Sequence, residues 1–170
     1  MNTQPHRSQG FTLVEVALAL GVAAFGLVAI IGLLPVGLQS NQVSIEQTAA
    51  AALAANVVAD LRATPVQIPA TAQESPRYQI PLPALGNATH TLFLREDGGR
   101  AGKVNADADP AQDPRYRVTL VITGPVSTTQ PTATTVRVWI TWPALADRMT
   151  NTLPARYNGA YEVVTALNRH

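Results

Sequence analysis

The 170-residue chain contains no cysteine. Disulfides, thiolate metal sites and cysteine nucleophiles are thereby excluded, and the compartment has to be inferred from something other than redox chemistry. Charge is scarce, at 14% of residues, and balanced: 12 basic and 11 acidic side chains leave a net +1. A field that small gives no reason to expect nucleic acid or an anionic surface as partner. The three histidines, His6, His90 and His170, are scattered along the chain and make no metal cluster. No G-x-S-x-G, no H-E-x-x-H and no carboxylate pair in a catalytic context appears, so an enzyme is disfavoured and no cofactor is expected. Proline is nearly missing from the first third: only Pro5 and Pro35 of the 13 precede residue 65. Long helix is therefore confined to the N-terminal part, and the rest reads as strands and loops.

What is present begins with a run of 23 uncharged, mostly apolar residues from Val16 to Leu38. As a helix it would span ~35 Å, slightly more than the ~30 Å hydrocarbon layer of a bilayer. A secretory signal peptide fits poorly, since its apolar core is roughly 7–15 residues and ends at a small-residue cleavage site. Gln39-Ser40-Asn41-Gln42 offers no such site. Ala17 and Gly21 form a small-x-x-x-small step of the kind that lets membrane helices approach closely. Pro35 deprives the Ile31 carbonyl of its helical donor, and with Gly32 and Gly37 beside it this is the weakest point of the helix. A kink or local unwinding is expected over residues 32–37. One carboxylate, Glu15, stands near the start of the run. A carboxylate costs about 2.5–3.5 kcal/mol at the centre of a membrane helix and less near its end. A plain anchor leaves it without a partner.

The residues that supply one are Gly10, Phe11, Thr12, Leu13, Val14 and Glu15. They resemble the processing signature of type IV pilins and type II secretion pseudopilins, a G/F-T-L-x-E pattern opening a long hydrophobic helix. The resemblance implies that a membrane-embedded prepilin peptidase cuts between Gly10 and Phe11 on the cytoplasmic side and N-methylates Phe11. Glu15 becomes the carboxylate at the fifth mature position, available for assembly. The new amine and the carboxylate then neutralise each other, within one subunit or between neighbours, and two costly charges become one pair. Other implied partners are further pilin or pseudopilin subunits, an inner-membrane assembly platform and membrane lipid. Gly32 to Leu38 and Ser44 to Ala50 are also similar to a subgroup of pilin-like proteins from verrucomicrobial gene cassettes.

On this reading residues 1–10 are a cleaved leader, 11–38 the transmembrane and assembly helix, 39–64 its amphipathic continuation, and 65–170 a periplasmic β-rich head. Arg7 before the run, with no basic cluster after it, keeps the leader cytoplasmic and sends the head across the inner membrane. The competing reading is a single-pass anchored periplasmic binding or adhesion domain that does not polymerise.

Beyond Gln39, Ile45, Ala49, Leu53, Val57 and Leu61 recur at i+4, one face of a helix that runs to about Arg62 before Pro65 stops it. Tyr78-Gln79-Ile80 reads as a weak edge strand, Thr89 to Arg95 as a second, and Asp97 to Lys103 as a flexible turn. Arg115 to Thr123 and Thr135 to Trp142 alternate clearly as strands and make an antiparallel pair. Trp139 shares a face with Arg137, which permits a cation–π contact. Tyr161 to Leu167 is strand or helix. The expected fold is α+β, a long N-terminal helix whose upper half packs on a small antiparallel sheet. Asp107, Asp109 and Asp113 are the only candidate calcium ligands. Pro110 and Tyr116 stand where a calcium loop needs glycine and glutamate, so a solvated loop is favoured. Arg115, Arg117, Arg137 and Arg156 are the residues from which a DNA-binding face would be built, and near-neutral charge argues against one.

Overall fold

The computed structural model describes residues 10–65, 72–127 and 133–168. Residues 1–9, with the leader expected there and with His6 and Arg7, lie outside the described residues, as do most of the segment joining helix to head, the tip of the loop containing Pro131, and His170. The apolar run and the alanine-rich stretch after it form one helix, α1 (Leu13–Arg62), of 50 residues. Its helical assignment continues without a break through Pro35, so the local unwinding expected over residues 32–37 is not found. Proline removes one donor and crowds one carbonyl, while the bonds of the flanking residues keep the ladder going. The helix ends where Ala63 N–H reaches the Ala59 carbonyl at 2.9 Å and Thr64 N–H the Leu61 carbonyl at 3.3 Å.

The chain divides into two compact units, Met1–Gln42 and Val43–His170. In the first, the large apolar side chains from Phe11 to Leu38 are exposed, Phe11 at 85%. Its helix is long and apolar enough to cross a membrane, and no part of the most apolar window is buried within the chain.

The second unit is built on two antiparallel sheets. A small hairpin pairs β1 (Gln73–Glu74) with β2 (Pro81–Leu82). The main sheet has β3 (Asn87–Leu94), β4 (Tyr116–Thr123), β5 (Thr134–Trp142) and β6 (Gly159–Leu167) side by side in chain order, every pair antiparallel. Register places Val118 opposite Leu92 and Ile140, and Leu120 opposite His90 and Val138. Alternation then turns one row of side chains to the same face. That face packs against Ala50, Leu53, Ala54, Val57 and Leu61 of α1, all buried. The fold is α+β, as the sequence implies.

Four local expectations need correction or completion. Tyr78-Gln79-Ile80 is not a strand: residues 76–78 turn, Gln79 sits at φ 54°, and the pairing residues lie on either side. The cause is Asp60, whose carboxylate accepts from Ser75 Oγ (2.5 Å), Arg77 N–H (2.8 Å) and Tyr78 N–H (2.9 Å) and so ties the turn to the helix. Ile45 is 60% exposed, because the buried stripe is Ala50, Leu53, Ala54, Val57 and Leu61, with i+3 steps among the i+4 steps. The stretch 97–103 is an organised turn: Asp97 Oδ1 accepts from Gly99 N–H at 2.7 Å, and Ala101 is buried with its N–H on the Phe93 carbonyl. Gly98 at its apex has φ +76°, a backbone conformation that favours glycine, and an added Cβ would come within 3.1 Å of the Leu53 side chain. Tyr161 to Leu167, open in sequence, belongs to a strand.

Candidate processing and assembly site

The start of α1 explains how Glu15 is held. Thr12 is the residue before the first helical position, and its carbonyl accepts the first helical bond, from Val16 N–H at 3.2 Å. Its hydroxyl accepts from Glu15 N–H at 3.2 Å, while Glu15 Oε2 accepts from Thr12 N–H at 3.3 Å and from the Thr12 hydroxyl at 3.2 Å. This is a reciprocal capping box, which satisfies two otherwise orphaned backbone donors and sets a negative charge at the positive end of the helix. The T-x-x-E spacing before an apolar run is the sequence signal for such a cap. The carboxylate is thus held on Thr12 N–H, and Thr12 follows Phe11 directly in the chain.

Gly10 and Phe11 are both exposed, as a cleavage junction requires. Phe11, Glu15, Val16, Ala19, Leu20 and Ala23 line one apolar surface groove, so Glu15 sits at the edge of a greasy face. Ala17, Gly21, Gly32, Pro35 and Gly37 lie further along the same helix with exposed surroundings. A Cβ added at Gly21, Gly26, Gly32 or Gly37 would meet nothing within 4 Å. No contact among the described residues demands glycine at these positions.

In the head, the candidate calcium residues do not converge. Asp109 caps a short helical turn (Pro110–Gln112), accepting from Ala111 N–H at 2.9 Å and from Gln112 Nε2 at 3.4 Å, and Asp113 ends that turn at φ 50°. Among the described residues no group of three His, Asp or Glu side chains is placed to hold a metal ion. Three of the four arginines named for a DNA-binding face are engaged within the chain. Arg115 pairs with Glu46 of α1. Arg137 is bidentate to Glu162 at 2.6 and 2.9 Å and stacks over Trp139 at 4.9 Å, with Tyr157 edge-on to the same indole at 6.2 Å.

Arg117 is fully buried on the sheet face opposite α1. Its guanidinium reaches Asp147 at 3.1 Å and the carbonyls of Met149 and Thr152 at 2.8 Å each, pinning the segment after β5 to the sheet. Burial lowers the Arg117 pKa from its ordinary value, and the charge of Asp147 opposes that. Burial likewise pushes the Asp147 carboxyl upward, but donation from Ala155 and Met149 N–H and the charge of Arg117 outweigh it, and the net shift is downward. Sequence reasoning missed this role because Arg117 falls on the polar side of an alternating strand. Asp60 was missed as well, since it reads as a residue of another face, although residues 53, 57 and 60, spaced i, i+4, i+7, put its carboxylate on the buried stripe.

Residues 5–31 match the family model described as the prokaryotic N-terminal methylation motif. No curated protein and no solved structure matches the chain. The matched span covers Gly10, Phe11, Thr12, Glu15 and most of the apolar run, the residues on which the resemblance to type IV pilins and pseudopilins stands. The chain therefore carries the N-terminal motif of that family, on an exposed apolar helix continuous with an α+β head.

Proposed function

We propose that the chain is a pilin-like or pseudopilin structural subunit. A prepilin peptidase cuts it between Gly10 and Phe11 and methylates Phe11. The subunit waits in the inner membrane with its head in the periplasm and enters a filament through the helix of residues 11–38. Glu15 sets register there by meeting the amine of Phe11. The observation that carries this reading is the capping box within the motif. Thr12, which follows Phe11 directly in the chain, holds the Glu15 carboxylate at the helix start, and the carboxylate's charge has no basic partner among the described residues nearby. A carboxylate kept in place with no basic partner among the described residues is what a charge created by cleavage would complete. The glycines with open space around them support helix packing against neighbouring subunits rather than within the chain.

The test is the intact mass and first residue of the protein matured beside a prepilin peptidase. Loss of ten residues with a methylated Phe11 at the new terminus is expected, and replacement of Gly10 by a bulky residue should block it. A protein that keeps its leader in such cells overturns the subunit reading and leaves a tethered β-rich domain.

A further inference from the structure

His90 lies on β3 with its ring half-buried at the edge of the core. Its Nδ1 is 3.0 Å from Asn105 Nδ2. Asn105 belongs to the segment that folds back along the outer edge of β3, and it grips that strand three ways. Its backbone N–H donates to the Thr91 carbonyl at 2.7 Å, its Oδ1 accepts from Thr91 N–H at 3.0 Å, and its amide nitrogen faces the ring. At φ 61° it occupies the left-handed region that asparagine tolerates better than most residues.

The orientation of this amide follows from chemistry. A backbone N–H only donates, so the Asn105 oxygen must face Thr91 and its NH2 must face His90. Nδ1 is then the bare nitrogen of a neutral ring, and the hydrogen resides on Nε2, which is buried with no partner in hydrogen-bond geometry among the described residues. Adding a proton at Nδ1 would set a donor against a donor. The opposite amide orientation would favour the charged ring, and Thr91 N–H forbids it. Burial also acts against the charge, lowering the His90 pKa below its ordinary 6.5. Among the described residues the other groups acting on the ring are Asn105 and the Pro81 carbonyl, neither of them charged; the carbonyl works toward the charged form, burial outweighs it, and the amide orientation fixed by Thr91 N–H keeps Asn105 from helping it.

We propose that His90 and Asn105 form an acid-released latch, in which protonation of the ring expels the Asn105 side chain and frees the segment around Lys103–Asp109 from the edge of β3. At neutral pH that segment closes the edge: Ala101 N–H bonds the Phe93 carbonyl, Arg100 bridges Leu94 and Asn105 brackets Thr91. Opening bares the backbone of Thr91 and Phe93, and an unpaired strand edge is a template for another strand. The latch is independent of Glu15 and of whether the chain polymerises.

The experiment is amide hydrogen exchange on the full chain in detergent micelles at pH 7.5 and pH 5.0, corrected for intrinsic exchange, with the His90 titration followed by NMR. The Asn105 and Thr91 amides should lose protection roughly ten-fold or more at the lower pH, as expected for loss of two or three bonds. Protection deeper in the sheet, at Leu120 and Val138, should hold. His90→Gln cannot titrate and should abolish the pH dependence. Asn105→Asp presents an acceptor to Nδ1, should raise the His90 pKa and should reverse the trend, with tighter closure in acid. Overturning results are equal protection of Thr91 and Asn105 at both pH values while His90 is seen to titrate, or the same loss in His90→Gln, or a lower His90 pKa in Asn105→Asp.

Discussion

Glu15 has two candidate duties, capping α1 and neutralising the amine of Phe11, and substitutions separate them. Glu15→Leu removes both. Glu15→Gln keeps an oxygen that can accept from Thr12 N–H, since glutamine serves in a capping box, but removes the charge. Thr12→Val removes the hydroxyl that accepts from Glu15 N–H and keeps the charge. The cap is worth about 0.5–2 kcal/mol, confined to the first turn of a helix of 50 residues. An amine left unmatched in an apolar setting costs about 2–3 kcal/mol, less than the mid-membrane figure because it lies at the helix end. That corresponds to roughly thirty- to hundred-fold in a partition between membrane and filament, at 1.4 kcal/mol per decade. The assay is the fraction of subunit recovered in sheared, sedimented filaments from cells that hold the peptidase and assembly platform. Intact mass confirms that each variant is cleaved after Gly10. Glu15→Leu and Glu15→Gln should fall together by that factor, and Thr12→Val should stay within a few-fold of the parent. Normal recovery of Glu15→Gln, or a Thr12→Val defect as deep as that of Glu15→Leu, would show that capping and not charge pairing is what assembly requires.

Other consequences concern the head. Arg117→Met strands Asp147 beside the sheet and should destabilise the head by about 3–5 kcal/mol in chemical denaturation, with the segment around residues 147–155 the first to gain exchange. Leu61→Ala opens a hole between α1 and the sheet and should cost about 2–5 kcal/mol by the same measurement. Stability should fall on acidification in two stages. His90 has a folded pKa below 6.5, so its contribution is complete above 6.5 and is lost as pH drops toward the folded value. Asp147, held below 3.8, gives a contribution that is complete above 3.8 and is lost at lower pH still. Denaturation midpoints measured from pH 8 to pH 3 check both, and His90→Gln should erase the first stage only. Gly159→Val would drive a side chain to within 2.3 Å of the Trp142 ring and should loosen the start of β6.

Much of this molecule was readable from local pattern. The uncharged run, the strands of Arg115 to Thr123 and Thr135 to Trp142, and the Gly10–Glu15 signature depend on periodicity and residue type, which neighbours in sequence carry. What the pattern did not reveal was partnership across long separations. Arg117 alternates with apolar residues as a solvent-facing side chain would, and only the return of residues 147–152 over that face buries it. Tyr78 to Ile80 has strand composition, and Asp60, on another element, bends it into a turn. Asp107, Asp109 and Asp113 have ligand-like spacing, yet Asp109 is drawn into capping its own turn. Pro35 marked residues 32–37 for a kink or local unwinding, and the ladder around it carries the helix through without unwinding.

By itself the sequence determined the membrane-length helix, the N-terminal methylation motif with its single carboxylate and the α+β class, because each rests on local chemistry: hydropathy, glycine, a charge, alternation. Only the tertiary structure decided which polar groups are consumed in holding the head together and which stay available. Those choices are made where chain segments meet, and hydrogen-bond geometry there leaves Arg117, Asp60 and Asn105 with their partners fixed.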